Sequence, residues 1–100
     1  MVQELQRTTV VKWSSEQIAA PVGNDIVIMS VDRGQYYGLR DSAGEIWRRL
    51  EHPTRIDDVC RALVAKYDAS EDVVVSQVLA FLEELRQESL ITIVRDERDS

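Results

Sequence analysis

The stretch that decides the fold is Tyr36–Leu50, YYGLRDSAGEIWRRL, in which an extended segment passes directly into an amphipathic helix. Tyr36–Leu39 consists mostly of residues that favour strands. Ser42 and Glu45 have the spacing of a helix-capping box. Apolar side chains then follow at the helical intervals i, i+3, i+4 and i+7, on Ala43, Ile46, Trp47 and Leu50. The sequence therefore predicts a short strand followed by a helix.

The residues before this stretch predict two more strands. Thr8–Trp13 is rich in β-branched and aromatic residues, and Ile26–Val31 is apolar at five of its six positions. A run this apolar favours a strand that is covered on both faces. Pro21–Asp25 and Asp32–Gln35 have the composition of turns. We expect a small antiparallel sheet of three strands, in which Tyr36–Leu39 lies at an edge.

The residues after it predict two more helices and a last short strand. Thr54 is the predicted cap of the second helix, and Ser70 is the predicted cap of a third helix that runs to about Glu88. Leu90–Val94 has the composition of a short strand, followed by a polar tail. The second helix presents one apolar face, formed by Ile56, Val59, Cys60, Leu63 and Tyr67.

The third predicted helix has an unusually wide apolar arc. The arc spans about 160°, whereas a helix that packs one face on a core needs only about 100°. Two interpretations fit this pattern. Either the helix lies between the sheet and the other helices, or one flank is open to a partner. That flank is formed by Val75, Leu79 and Leu82.

Composition and charge restrict the class of protein. The chain has 100 residues, of which 44% are apolar and 30% are charged, and its net charge is −6. These values are typical of one globular domain, here residues 1–100 with a core of about 8–94. The longest apolar run has four residues, and the first residues lack a signal-peptide pattern, so we expect a cytoplasmic protein with no membrane partner. The acidic charge argues against nucleic acid.

The possible catalytic residues each have a simpler structural explanation. His52 precedes a proline at a predicted helix end, and Cys60 lies on an apolar helix face. The adjacent acids Asp57–Asp58 and Glu83–Glu84 diverge on a helix, which is typical of solvated faces and cap charges. One cysteine and one histidine are too few for a zinc site. We predict a protein that is not an enzyme and has no cofactor or metal.

Two binding functions remain open at this point. A small sheet followed by three helices is the arrangement of a winged helix-turn-helix, which often reads DNA. However, the third predicted helix carries five acids and one base between Glu71 and Glu88. An edge strand beside an apolar helix flank favours the second function, capture of an extended peptide.

The ordered motifs of the chain resemble the PqqD-like family. The resemblance rests on Tyr36–Leu50, Ile56–Val59, Tyr67–Asp68, Val74–Leu85 and Leu90–Ile91. It implies an α+β winged helix-turn-helix with three strands and three helices. It also implies a recognition element that binds the leader segment of a ribosomally made precursor peptide, by strand addition between the third strand and the third helix.

The resemblance further implies the partners and the site. Stand-alone members act in lasso-peptide biosynthesis as B1 proteins and deliver the precursor to a leader peptidase or modifying enzyme. The alternatives are a winged-helix DNA-binding regulator and a peptide chaperone for a radical SAM enzyme in pyrroloquinoline quinone synthesis. Arg40 stands where the family has Asn, and we expect it to meet an acidic leader residue. The implied peptide-binding residues are Gln35, Tyr36, Tyr37, Gly38, Leu39, Val74, Val75, Val78, Leu79 and Leu82.

Overall fold

Six strands and three helices follow one another in the computed structural model, which describes residues 5–15, 17–23, 25–31, 33–39 and 41–96. The chain begins with four strands, continues through three helices with a two-residue strand after the first, and ends with a last strand. The elements are β1 (Thr9–Trp13), β2 (Gln17–Val22), β3 (Asp25–Ser30), β4 (Gln35–Leu39), α1 (Asp41–Arg49), β5 (Thr54–Arg55), α2 (Ile56–Tyr67), α3 (Glu71–Gln87) and β6 (Ile91–Asp96).

The strands form two antiparallel sheets rather than one. One sheet has the order β5-β1-β6 and the other has the order β2-β3-β4. The α+β class, the antiparallel pairing and the three helices are confirmed in the described part of the chain. The predicted order is wrong in part, because the strands divide between two sheets, β2 was not predicted and β5 lies between α1 and α2; the last strand predicted over Leu90–Val94 is present as β6. The winged helix-turn-helix arrangement stays a prediction.

The sequence analysis did not predict strand β2, because the last residues of this strand have the composition of a turn. We predicted a turn over Pro21–Asp25, but the structure confines the reversal to the residues around Gly23, whose φ is +64°. Pro21 and Val22 belong to β2 and pair with Ile26 and Asp25 of β3. Proline is tolerated here because β2 is an edge strand, where one side of the backbone needs no partner.

The predicted cap of α2 is also wrong. Thr54 lies in β5 and pairs with Val11 of β1, so the N-cap position falls to Arg55. The Thr54 hydroxyl lies 2.7 Å from the Arg49 carbonyl and 2.8 Å from the His52 carbonyl. Thr54 therefore stabilises the turn that leaves α1 rather than the first turn of α2.

The predicted starts of α1 and α3 agree with the structure to different degrees. Ser42 is the second residue of α1 and not its cap, because the helix already begins at Asp41. The Glu45 side chain binds Lys66 of α2 and Arg49 instead of closing a capping box. Ser70 does occupy the N-cap position of α3, although its side chain makes no capping hydrogen bond.

One continuous apolar core joins both sheets to all three helices. Its largest fully buried side chain is Trp47 of α1, and the indole of Trp13 in β1 stacks on it with ring centroids 5.0 Å apart. Trp13 Nε1 also donates a 2.7 Å hydrogen bond to the Trp47 carbonyl. One turn before Trp47, a Cβ at Gly44 would lie 3.6 Å from Ile26 of β3. Helix α1 is therefore in contact with both sheets; Trp47 is buried in the core, and the half-buried Trp13 packs against the core.

None of the three helices, which all lie in the described residues, is long and apolar enough to cross a membrane.

The predicted solvated pair Asp57–Asp58 divides into a buried and an exposed carboxylate. Asp57 is only 7% exposed and binds Arg7 at 2.9 Å and Arg61 at 2.5 Å. The hydrogen bond from Arg7 holds the pKa of the Asp57 carboxyl below its usual range. The side chain of Asp58 is 59% exposed. Arg7 also binds Glu71 at 2.6 Å, so this cluster joins the start of the chain to α2 and α3.

Asp57 should make the stability of the fold sensitive to acid. A carboxyl group whose pKa is lower in the folded state stabilises the fold above its unfolded pKa of about 4, and this contribution is lost as the pH falls through the folded pKa. We expect Asp57→Asn to lose stability at pH 7 and to show a flatter decline between pH 5 and pH 2 than the unsubstituted protein. Urea midpoints across this range measure both effects. Asp58→Asn is the matched control, and an equally flat decline in that variant would contradict the assignment.

Candidate peptide-binding site

Strand β4 leaves one edge of its sheet unpaired within the described part of the chain. It pairs with β3 from Ile26↔Leu39 to Ser30↔Gln35, and no described strand lies on its other side. An edge of this kind presents alternate backbone N–H and C=O groups that an extended chain can pair with. The exposed side chains of Gln35 and Tyr36 and the exposed Gly38 leave this edge accessible.

The start of β4 is fixed to the end of α3 by polar contacts. The Tyr37 hydroxyl lies 2.8 Å from Gln35 Oε1 and donates a hydrogen bond to the Glu88 carboxylate. That bond raises the pKa of the Tyr37 phenol. Arg33 completes the connection, since its guanidinium donates to the Gln87 carbonyl at 3.2 Å and lies 3.6 Å from Glu88.

The other end of β4 opens towards a groove between the helices. Leu39 is the last residue of β4, and α1 begins two positions later at Asp41. The groove encloses about 200 Å³ and receives side chains from α1, α2 and α3. Its lining is mainly apolar with three neutral polar groups, and consists of Ser42, Ile46, Leu63, Tyr67, Ala69, Val74, Gln77 and Val78.

Strand β4 and helix α3 match in length between these two ends. A five-residue strand spans about 17 Å at 3.4 Å per residue. The twelve residues from Gln77, in the groove, to Glu88, beside Tyr37, span a similar distance of about 18 Å at 1.5 Å per residue. The Tyr37–Glu88 hydrogen bond joins β4 to the end of α3, and the apolar groove lies between α3, α2 and the helix α1 that follows β4.

Helical geometry decides which flank of α3 faces β4. At about 100° per residue, Gln77, Phe81 and Glu88 lie on one flank of the buried stripe, and Val75 and Leu79 lie on the other. Because Glu88 binds β4 and Gln77 lines the groove, the flank of Phe81 is the one that faces the strand.

The implied contact residues on α3 thus have different positions. Val74 and Val78 line the groove. Leu82 is fully buried in the core. Val75 and Leu79 are half-buried against the core on the flank away from β4. The contact of each of them with a peptide stays a prediction.

The residues that we considered as catalytic candidates lie outside this site. Cys60 is 1% exposed in the core, and burial raises the pKa of its thiol. His52 is exposed in the turn after α1. Glu83 binds Arg86, which holds the pKa of the Glu83 carboxyl below its usual range. Across residues 5–15, 17–23, 25–31, 33–39 and 41–96, no group of three or more His, Cys, Asp and Glu side chains could hold a metal ion.

Some groove residues were missed by sequence analysis. Ile46 and Tyr67 were assigned to the apolar faces of their own helices, and Ser42 was assigned to a cap. Gln77 is exposed and polar, so an apolar pattern could not select it. The only signal in the sequence that could have indicated this groove was the position of Tyr67 at the end of an apolar helix face. Arg40 lies outside the described residues, so its pairing with a leader residue stays a prediction.

Comparisons with known proteins give a family and two similar structures. A family model described as coenzyme PQQ synthesis protein D (PqqD) matches residues 25–91. No curated protein matches the chain. The chain is similar to the structure of TbiB1 in complex with the TbiA(beta) leader peptide, with a TM-score of 0.75 and 26% identity, over 80% of this chain and 93% of that chain.

A second solved structure has the same fold. It is a lasso peptide synthetase B1 complexed with the leader peptide, with a TM-score of 0.69. The match covers 82% of this chain and 96% of that chain, and at 21% identity it shows the fold alone.

The Tyr37–Glu88 hydrogen bond should contribute to the stability of the β4 end. We expect Tyr37→Phe to lower Tm by a few degrees, because the Glu88 carboxylate loses its donor while the ring keeps its packing. Thermal unfolding followed by circular dichroism measures the change. Tyr36→Phe is the control, since the Tyr36 side chain is 71% exposed. An equal effect in both variants would show that the hydroxyl of Tyr37 has no special role.

Proposed function

Because the chain belongs to the PqqD family, whose model matches residues 25–91, we propose that it binds the leader segment of a ribosomally synthesised precursor peptide. The observation that carries the proposal is the unpaired edge of β4 beside the apolar groove of α1, α2 and α3. The likeness to TbiB1, itself complexed with a leader peptide, supports the same function.

In this proposal the leader pairs with Gln35–Leu39 as an added strand. Backbone pairing supplies affinity that depends little on sequence, and the pockets for side chains supply selectivity. A strand added antiparallel to β4 enters from the Leu39 end, where the groove lies. An apolar leader residue upstream of the paired segment then occupies the groove against Val74 and Val78.

The Tyr37–Glu88 contact would set the other limit of the bound segment. It joins β4 to the end of α3, so a strand that follows β4 has to leave the space between β4 and α3 near Gln35. The paired segment is then about five residues long, the length of β4. Val75 and Leu79, on the flank away from β4, pack on the core in this proposal and serve the peptide only by holding α3 in place.

The protein would act by presentation rather than by catalysis. A tethered leader raises the effective concentration of the precursor at a partner enzyme and orients its cleavage or modification site. Because stand-alone members of the family that the chain resembles act in lasso-peptide biosynthesis, we place the chain in that process in the cytoplasm, with a leader peptidase or modifying enzyme as its partner. The chemistry belongs to that partner, and the chain needs no cofactor.

Fluorescence anisotropy with a labelled leader peptide tests the function directly. We expect saturable binding that persists in added salt, and no response from a labelled DNA duplex. N-methylation of the leader backbone, one residue at a time, tests strand addition. Loss of affinity at every second residue over about five positions is expected, because alternate amides of a strand point to the same side. Binding of the duplex that falls steeply with salt would favour the DNA-binding alternative.

Obstruction of the groove tests the proposed position of the leader. We expect Gln77→Trp to weaken leader affinity about tenfold or more, equivalent to about 1.4 kcal/mol, since the indole would fill the groove. Ser76→Trp is the matched control, because Ser76 is exposed on α3 and does not line the groove. Unchanged affinity in a folded Gln77→Trp variant would exclude this groove as the side-chain pocket.

A further inference from the structure

A second pocket lies where both sheets meet α1, and we call it the intersheet pocket. It encloses about 240 Å³ and is lined by Trp13 of β1, Ala19–Pro21 of β2, Ile26 of β3, and Trp47 and Arg48 of α1. None of these residues lines the groove of the candidate peptide-binding site. The intersheet pocket is therefore a separate feature of the molecule, which the proposed function does not use.

The indole of Trp47 brings a buried and unpaired hydrogen-bond donor to this pocket. The Trp47 side chain is 1% exposed, and within the described part of the chain its Nε1 donates to no group. The Trp13 indole differs, because its Nε1 donates to the Trp47 carbonyl at 2.7 Å. Buried polar groups are nearly always hydrogen-bonded, since an unpaired one costs free energy. A ligand that carries an acceptor would satisfy the Trp47 donor.

The backbone of β2 supplies another donor beside the pocket. Proline fits in an antiparallel strand where its nitrogen points away from the paired neighbour, and Pro21 is paired with Ile26 on one side only. Alternate residues of such a strand direct their backbone groups to the same side, so the Ala19 N–H points to the same edge as the Pro21 nitrogen. No described strand pairs with this edge of β2.

Arg48 supplies positive charge in the lining. It lies in the last turn of α1, its side chain is exposed, and no acidic group among the described residues pairs with it. The lining contains no carboxylate and no other side chain that could accept a hydrogen bond. Apolar walls, unpaired donors and one cation are complementary to an anion that has an apolar body.

We propose that the intersheet pocket binds a small apolar carboxylate, whose hydrocarbon body is about the size of a benzene ring. The body lies against Trp13 and Ile26, and the carboxylate accepts hydrogen bonds from Trp47 Nε1 and Arg48. An apolar cavity of about 150 Å³ holds benzene, so a pocket of about 240 Å³ has room for a ring and its carboxylate. Because the whole acid fits, the ligand is a free acid rather than the end of a peptide chain.

A ligand in this pocket would stabilise the docking of the two sheets. It would contact β1 of one sheet, β2 and β3 of the other, and the helix α1 that joins them. A ligand that binds only the folded state stabilises that state by mass action. At about ten times the dissociation constant, we expect Tm to rise by about 5 °C or more. This effect does not depend on leader binding.

Titration with phenylacetate, followed by two-dimensional NMR of the ¹⁵N-labelled protein, tests the site. The chain has two tryptophans, so two indole N–H signals are expected. The Trp47 indole proton should shift downfield and saturate, because it gains an acceptor, with a dissociation constant of about 1 mM or below. The Trp13 indole proton already has an acceptor and should shift less. Benzyl alcohol, which has the same ring without the charge, should bind at least about tenfold more weakly.

Arg48→Gln tests the charge that recognises the carboxylate. We expect this variant to raise the dissociation constant of phenylacetate about tenfold. Arg49→Gln is the matched control, since Arg49 is the adjacent arginine in the same turn, binds Glu45 at 3.3 Å and does not line the pocket. Circular dichroism verifies that both variants are folded. The tripeptide Gly-Gly-Phe with a free carboxyl terminus should bind more weakly than phenylacetate.

Three results would overturn the proposal. The first is the absence of a saturable Trp47 shift up to about 20 mM phenylacetate, well above the expected dissociation constant. The second is an equal loss of affinity in both arginine variants, which would indicate general charge attraction. The third is tighter binding of the tripeptide than of phenylacetate, which would assign the pocket to a peptide terminus. Leader anisotropy without phenylacetate tests the proposed function separately, so failure of one proposal leaves the other intact.

Discussion

The stacked indoles of Trp13 and Trp47 hold the molecule together, because neither three-stranded sheet has enough buried surface to be stable by itself. Trp13 belongs to β1 in the first sheet, and Trp47 belongs to α1, whose Gly44 approaches Ile26 in the second sheet. The hydrogen bond from Trp13 Nε1 to the Trp47 carbonyl fixes the angle at which α1 crosses β1. Helix α1 thus acts as the common support of the two sheets, and the tryptophan contact is what joins it to the first of them.

The same support determines the geometry of the candidate site. Because β4 ends at Leu39 and α1 begins at Asp41, the position of α1 fixes the end of the unpaired edge and the start of the groove together. At the opposite end, Tyr37 and Arg33 bind the last residues of α3. The site is therefore a trough held at both ends by contacts within one chain, which is the preorganisation that binding an extended peptide requires.

The sequence allowed much of this to be predicted, and the failures have physical reasons. Periodicity identified the three helices and composition identified four of the strands, and the match over residues 25–91 confirms the predicted family. β5 has two residues and exists only through its pairing with Val10 and Val11, so local pattern could not reveal it. The strand β4 could be predicted because the signal for it lies in its own residues. The facing flank of α3 was not, since the contact of Glu88 with Tyr37 depends on tertiary position.

The tryptophan pair also decides which signals can be observed in solution. The chain has two tryptophans, and they stack on each other at the junction of β1 and α1. Neither lines the helical groove, whose aromatic residue is Tyr67. Indole emission, and any near-ultraviolet signal from two coupled rings, will therefore report whether the sheets are docked on α1 and respond little to a peptide in the trough. Indole emission can thus follow folding while the label on a leader peptide follows binding in the same sample, at a separate wavelength.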